Sequence, residues 1–279
     1  MLRALLLALA LCQPTAAVAG TLDLEGSLTQ GGLVFGTATP GTELSLDGQA
    51  VRIAPDGRFV IGFGRDHGPE ATLEARFPDG EVTRRPLAIA KRDYQIQRID
   101  GLPSNMVTPP EDVLARIREE AARVAAARAV DRAEALFESG FFWPVEGIVT
   151  GIYGSQRILN GEPRRPHFGI DIAAPEGTPV TAPADGVIAL AETDLYFTGG
   201  TLIIDHGHGL SSALLHMKEL WVAPGERVTK GQAVGSVGST GRSTGPHLDW
   251  RINWFKERLD PALLVPPMPA PKEGTATAD

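Results

Sequence analysis

His167, Asp171, His216, His247 and Asp249 are of the residue types that hold a divalent ion and move protons. Imidazole nitrogens and carboxylate oxygens are the donors zinc takes, and an imidazole can also shuttle a proton near neutral pH. His167 and Asp171 stand four apart around Gly169. On an extended strand that even spacing puts both side chains on one face, with the glycine removing bulk between them. His247 and Asp249 stand two apart, again on one face, and Gly245-Pro246 fixes the entry of that strand. His216 closes the run Ala213-Leu214-Leu215, whose β character predicts a third strand aimed at the same place. One H-x-G-x-D spacing is a frequent coincidence. Three strands directing polar groups to one sheet face is not, because buried charge needs a partner or a metal.

The elements that must position these residues are mostly β. Between 142 and 265, β-rich runs at 145–150, 187–191, 201–205, 211–216 and 247–254 are broken by Gly186, Gly199-Gly200, Gly207 and Gly209. Residues 20–102 carry short β-rich runs separated by Pro40-Gly41, Asp47-Gly48, Asp56-Gly57 and Asp79-Gly80. Turn signals at that density predict a sandwich of antiparallel strands. Residues 103–110 read as a linker. The stretch 111–138 is rich in Ala, Glu and Arg with no Gly or Pro, and its Val113, Ile117, Ala121 and Val124 form one apolar stripe. A helix is therefore expected over 111–138, starting after Pro109-Pro110 and ending at Gly140. The predicted organisation is a β-sandwich-like module (20–102), a linker and connecting helix (103–140), an antiparallel β domain (141–265) and a Pro/Ala/Thr-rich disordered tail (266–279).

Several ordered motifs in the second half then point to a family. Tyr153-Gly154-Ser155-Gln156-Arg157, His167-Phe168-Gly169-Ile170-Asp171, Ile204-Asp205-His206-Gly207-His208-Gly209 and Gly241-Arg242-Ser243-Thr244-Gly245-Pro246-His247-Leu248-Asp249 together resemble the lysostaphin-type M23 zinc endopeptidases, over about residues 142–263. The resemblance implies one zinc ion, held by His167, Asp171 and the residue at 249, with His216 and His247 as general base and oxyanion stabiliser. It also implies a β-sheet groove walled by loops at 155–165 and 193–200, and peptidoglycan stem or bridge peptides as substrate.

Asp249 departs from the family pattern, which is H-x-H where this chain reads His247-Leu248-Asp249. Carboxylate oxygen is a legitimate zinc ligand. Aspartate is shorter than histidine, however, and a second anionic ligand offsets more of the metal's charge. An oxygen-rich set also relaxes the preference for zinc over harder divalent ions such as manganese. Two readings follow: an active endopeptidase with an altered ligand, or a degenerate relative that binds wall or regulates another wall hydrolase.

Other polar residues have plainer expectations. His206 and His208 flank a glycine turn, Trp250 and Trp254 suit core or groove-floor packing, and Ser243 and Thr244 suit a turn. His67, beside Gly68-Pro69, is expected in solvent. The segments 182–187 and 222–235 resemble lipoyl-carrying barrel-sandwich domains, but neither Lys218 nor Lys230 lies in the hairpin such attachment requires. Met1-Leu2-Arg3, the apolar run 4–11 and Ala17-Val18-Ala19 read as a secretory signal (1–19), too short to span a bilayer. Export to the periplasm or beyond is expected. Leu11 before Cys12, the only cysteine, speaks against lipid attachment. The formal charge of −8, which becomes −9 when Arg3 leaves with the signal, argues against nucleic acid or an anionic membrane as the main partner.

Overall fold

Apolar residues at alternate positions, punctuated by glycine turns, build two antiparallel sheets in the first part of the chain. The computed structural model describes residues 20–269. The expected signal with Cys12, and residues 270–279 of the tail, lie outside the described residues. Strands β1 (Leu22–Gly26), β2 (Leu33–Ala38), β3 (Glu43–Leu46), β4 (Gln49–Val51), β5 (Arg58–Gly62), β6 (Glu70–Arg76) and β7 (Val82–Ala88) form the sheets β1-β2-β5 and β4-β3-β6-β7. Asp47 and Gly48, both with positive φ, close the two-residue hairpin between β3 and β4. That is the turn which matches strand twist. Leu33, Phe59, Phe63 and Leu73 fill the core the two sheets share.

The chain then runs through β8 (Ile96–Ile99), the single turn α1 (Ser104–Val107), a 3-10 turn at Glu111–Val113 and α2 (Leu114–Arg128). The helix expected to reach residue 138 stops at Arg128, and Leu136–Ser139 is a 3-10 turn. Tertiary contacts account for the early stop. Arg132 donates to Asp205 at 2.9 Å, its carbonyl accepts from the His208 amide at 2.8 Å, and Phe137 stacks on Phe35 and His208. A continued helix would remove all three, and local propensity is too weak to oppose them. What remains of α2 packs Val124 and Ala127 on Leu190, Leu195 and Ile203.

The second part contains β9 (Ile148–Gly151), β10 (Gln156–Leu159), β11 (Glu162–Pro163), β12 (Ile170–Ala173), β13 (Pro179–Thr181), β14 (Gly186–Leu195), β15 (Gly199–Gly207), β16 (Leu210–Leu220), β17 (Arg227–Val228), β18 (Ala233–Val237), β19 (His247–Trp254) and β20 (Glu257–Leu259). The large antiparallel sheet runs β17-β14-β15-β16-β19-β12-β9, with β20 paired to β19 and β18 to β13 and β16. Its strands β15, β16 and β19 are buried along almost their whole length. The first sandwich rests directly on this sheet: Gly62 faces Leu259 and Trp254, and Arg92 pairs with the buried Asp260 at 2.8 Å.

The segment read as a linker (103–110) and the strand just before it both make contacts across the chain. β8 pairs in parallel with β10, Asn160 bonds both backbone groups of Leu102, Arg164 donates to Thr108 at 3.0 Å, and Tyr196 donates to the Asn105 carbonyl at 2.8 Å. Residues 102–108 therefore bridge the 156–164 hairpin and the turn after β14. The expected tail also begins docked, since Trp143 donates to the Pro266 carbonyl at 2.8 Å and Met268 packs on the core. Among the described residues, no helix is long and apolar enough to cross a membrane.

Candidate metal centre

The register of two neighbouring strands creates the site. In the β12–β19 pair Asp171 stands directly opposite Asp249, and Ala173 opposite His247. Directly opposed residues share a face and approach closely. The two buried carboxylates therefore meet side by side, an arrangement that costs free energy unless cations compensate it. Gly169 is glycine because of this meeting: a Cβ there would overlap the Asp249 Oδ1. Gly151 likewise leaves room for the Asp171 carboxylate.

His167 reaches the site by a route other than the expected one. It does not share a strand with Asp171, because β12 begins only at Ile170. Backbone bonds hold it instead, from the His167 amide to Ser155 O at 2.8 Å and from the Gly154 amide to His167 O at 2.7 Å. The Tyr153-Gly154-Ser155 turn thus sets the ring, which is 1% exposed. Its Nε2 lies 3.1 Å from Asp171 Oδ1. Apart from this close contact with each other, neither that nitrogen nor Asp171 Oδ1 has a hydrogen-bond partner, and the ring's Nδ1 has none at all.

His216 is aimed by a bulge. Strict alternation would send it to the far face, since its neighbour Leu215 opposes Asp249. The β15–β16 register slips between Gly200 and Leu202, and His216 takes a left-handed φ of 64°. Bulges and positive φ at a non-glycine residue commonly re-aim a side chain beside functional sites. The ring then sits 4.8 Å, centroid to centroid, from that of His247. His216 Nδ1 bonds Thr240 O at 2.7 Å and His247 Nδ1 bonds Gly245 O at 2.8 Å. A carbonyl only accepts, so both Nδ1 atoms carry a proton and both Nε2 atoms are turned away from these anchors. The His247 Nε2 is 3.8 Å from Asp171 Oδ1. Burial pushes the His216 imidazole down to about 4, with Asp249 opposing the shift and His247 adding to it. His216 is therefore neutral at neutral pH.

Two arginines complete the site. Arg251 follows Asp249 by two along β19, hence on the same face, and grips both its oxygens: Nε at 3.0 and 3.1 Å, Nη2 at 2.6 Å. Arg157 donates to Asp171 Oδ2. Burial works against ionisation of both carboxyls. For Asp171 the Asp249 charge adds to that penalty, but His167 and Arg157 outweigh it and hold the group below the usual carboxylate range. For Asp249 the balance is tipped first by Arg251, which holds it far below that range. Motif reading missed Arg251, although its spacing from His247 and Asp249 was the signal available.

His167, Asp171 and Asp249 each offer a donor atom within 4.8 Å of the other two. Buried polar atoms without a partner call for an explanation, and a cation between His167 and Asp171 supplies one. The donor set fits a divalent ion. His247, with 16% of its side chain exposed, is the edge of the group that faces outward. His206 and His208 sit at the other end of β15, away from the group, as the turn reading expected. His206 is fully buried, with Nδ1 on Asp185 O and Nε2 on Ser212 Oγ, both at 2.7 Å. Trp250 is core, edge-on to Trp143, and the Ser243 hydroxyl donates to Gly245 O within its turn. His67 is not solvent-facing as expected; it lies partly covered, edge-on to Phe63.

Comparison with known proteins bears on this geometry. The family model for peptidase family M23 matches residues 165–261. The chain is similar to the peptidoglycan DD-endopeptidase ShyA of Vibrio cholerae, 38% identical over 38% of this chain and 28% of that protein. It is also similar to the DD-carboxypeptidase/endopeptidase Mpg of Neisseria meningitidis, 41% identical over 38% of this chain and 24% of that protein. The cell division protein DipM of Caulobacter vibrioides is 31% identical over 57% of this chain and 26% of its own length. The chain thus spans about a quarter of the length of these curated relatives. Among solved structures, a peptidase M23 structure from Pseudomonas aeruginosa superposes with a TM-score of 0.65 at 27% identity, covering 85% of this chain and 93% of that one.

Proposed function

Residues 165–261 belong to peptidase family M23, and from that premise we propose that the chain is an exported metal-dependent endopeptidase acting on the stem or cross-link peptides of peptidoglycan. The observation that carries the reading is the pair of buried donors with no partner but each other, His167 Nε2 and Asp171 Oδ1, 3.1 Å apart beside Asp249. His167, Asp171 and Asp249 would hold one zinc or similar divalent ion. When bound, such an ion polarises a peptide carbonyl and acidifies a water molecule.

The chain's own residues handle the protons. His216 is neutral and presents an unprotonated Nε2, so it can take a proton from a nucleophilic water. His247 has the same kind of Nδ1 anchor and the more exposed ring. It can receive a proton and then, as imidazolium, stand against negative charge developing on the substrate oxygen. Carbonyl anchors on both Nδ1 atoms fix the orientation these transfers need. The similarity to endopeptidases and a DD-carboxypeptidase of peptidoglycan supports the substrate class.

The test is digestion of purified peptidoglycan by the zinc-loaded protein, read by chromatography of the released muropeptides. Loss of cross-linked dimers, abolished by His167→Ala, supports the reading. A zinc-loaded protein that releases nothing sinks it. A second reading, a module that binds wall or regulates another hydrolase without cutting, is favoured by Arg251, which occupies both oxygens of the altered ligand. It predicts co-sedimentation with peptidoglycan and no released products. Export, carried by the signal-like residues 1–19, is tested by fractionating cells for the chain shortened at residue 19.

A further inference from the structure

The two arginines raise a question the metal reading leaves open. Asp171 and Asp249 carry two negative charges and Arg157 and Arg251 two positive ones, and the mostly buried Arg128, Arg242 and Arg258 add positive charge around them. A dication added to this group leaves an uncompensated surplus of positive charge at low dielectric, which costs free energy. The occupancy of the two carboxylates is also unequal. Both oxygens of Asp249 accept from Arg251, whereas Asp171 gives only Oδ2 to Arg157 and turns Oδ1 to His167 Nε2 at 3.1 Å. An ion can enter at His167 and Asp171 directly, but it gains Asp249 only by sharing it with, or taking it from, a guanidinium.

We propose that Arg157 and Arg251 are positioning residues that act as built-in counter-ions: they hold the facing carboxylates in place without metal and compete with a divalent cation for them. The proposal rests on the reading that this site takes a metal. Two features make the arginines more than incidental. Arg251 comes from the strand that carries Asp249, at the spacing that shares its face, so its fork is set by the strand itself. Arg157 is steadied from outside the site, its Nε donating to Gln97 Oε1 at 3.3 Å, while Gln97 in turn donates to Thr150 O at 3.3 Å. Gln97 lies on β8, the strand contributed by the segment that joins the two halves of the chain. How firmly Arg157 holds Asp171 is thereby linked to the docking of that segment.

The experiment measures the zinc dissociation constant by competition with a chromophoric chelator, for the parent, Arg157→Gln, Arg251→Gln and Arg251→Lys. Melting curves with and without zinc are recorded in parallel. Removing a competing charge is expected to tighten zinc binding by about tenfold or more in each Gln variant, while Arg251→Lys stays near the parent. Metal-free Arg251→Gln is expected to melt below the parent, because Asp249 is left without its counter-ion, and zinc should restore it. If Arg251→Gln does not fold, the partly exposed Arg157→Gln decides. Folded Gln variants that bind zinc no tighter than a zinc-binding parent would overturn the proposal and leave the metal site standing. Zinc bound by the Gln variants but not by the parent supports the proposal while removing the catalytic reading. No zinc in any of the four overturns both.

Discussion

The large sheet buries histidines at both ends of its central hairpin, and two of them, His206 and His167, differ in what surrounds the ring. At the β15–β16 turn, His206 is fully buried and both ring nitrogens are matched, by Asp185 O and Ser212 Oγ. At the far end of the same strands, His167 is equally buried, its Nδ1 has no partner and its Nε2 meets only the Asp171 carboxylate, at 3.1 Å. Residue type and burial do not separate these two rings; their hydrogen bonds and the donors beside them do. A satisfied buried imidazole is a structural part, because a lost partner costs stability and nothing is left for a ligand. An unsatisfied nitrogen calls for an explanation; His208 Nδ1 at the turn end is also unpartnered, but only at His167 do two carboxylates, Asp171 and Asp249, bring further donor atoms within 4.8 Å.

Mutations at the two ends should therefore fail in opposite ways. His167→Ala should abolish peptidoglycan hydrolysis, a loss of about 10³-fold or more, and zinc should no longer raise the melting temperature. A variant that zinc still stabilises as it does the parent would show that His167 is not a ligand. Replacing His216 or His247 by Ala should lower kcat by roughly 10²- to 10⁴-fold with zinc content unchanged, which elemental analysis of each variant checks. His206→Ala should do the reverse. Stability falls by about 2–3 kcal/mol because two buried partners are stranded, and zinc affinity stays at the parental value.

A smaller effect comes from pH. Burial lowers the His206 imidazole from 6.5 to about 4, with the Asp185 carbonyl opposing the shift. The unfolded chain therefore binds a proton that the folded one refuses. Above about 6.5 this group contributes no pH dependence; as pH falls from 6.5 to 4, stability declines by up to about 3 kcal/mol. Urea titrations across that window should show the decline, and His206→Leu should flatten part of it. A parental stability that is level from pH 7 to 4 would contradict the assignment.

The sequence made the donor types, their order and the mostly β class legible because spacing and turn residues act locally. Asp171 and Asp249 could be placed on strands, and those strands are neighbours. Three things were not legible, each because it depends on contacts distant in the chain. His167 is positioned by the 154–155 turn and not by alternation along a strand with Asp171. His216 points into the site only because a bulge reverses its face. The helix ends at Arg128 because residues 132–137 have better partners on β15, the β15–β16 turn and Phe35 than the helix offers. Arg251 lay in plain view two residues beyond Asp249, but a search for ligands passes over a cation, and its meaning emerges only from the opposed carboxylates.

The claim that His167, Asp171 and Asp249 form a metal centre is tested most directly by counting metal. The parent and His167→Ala are equilibrated against the same buffered free zinc concentration, and bound zinc per chain is measured by elemental analysis. One zinc per parental chain and none in His167→Ala is the predicted result. Zinc absent from the parent, or equal in the two proteins, would contradict it.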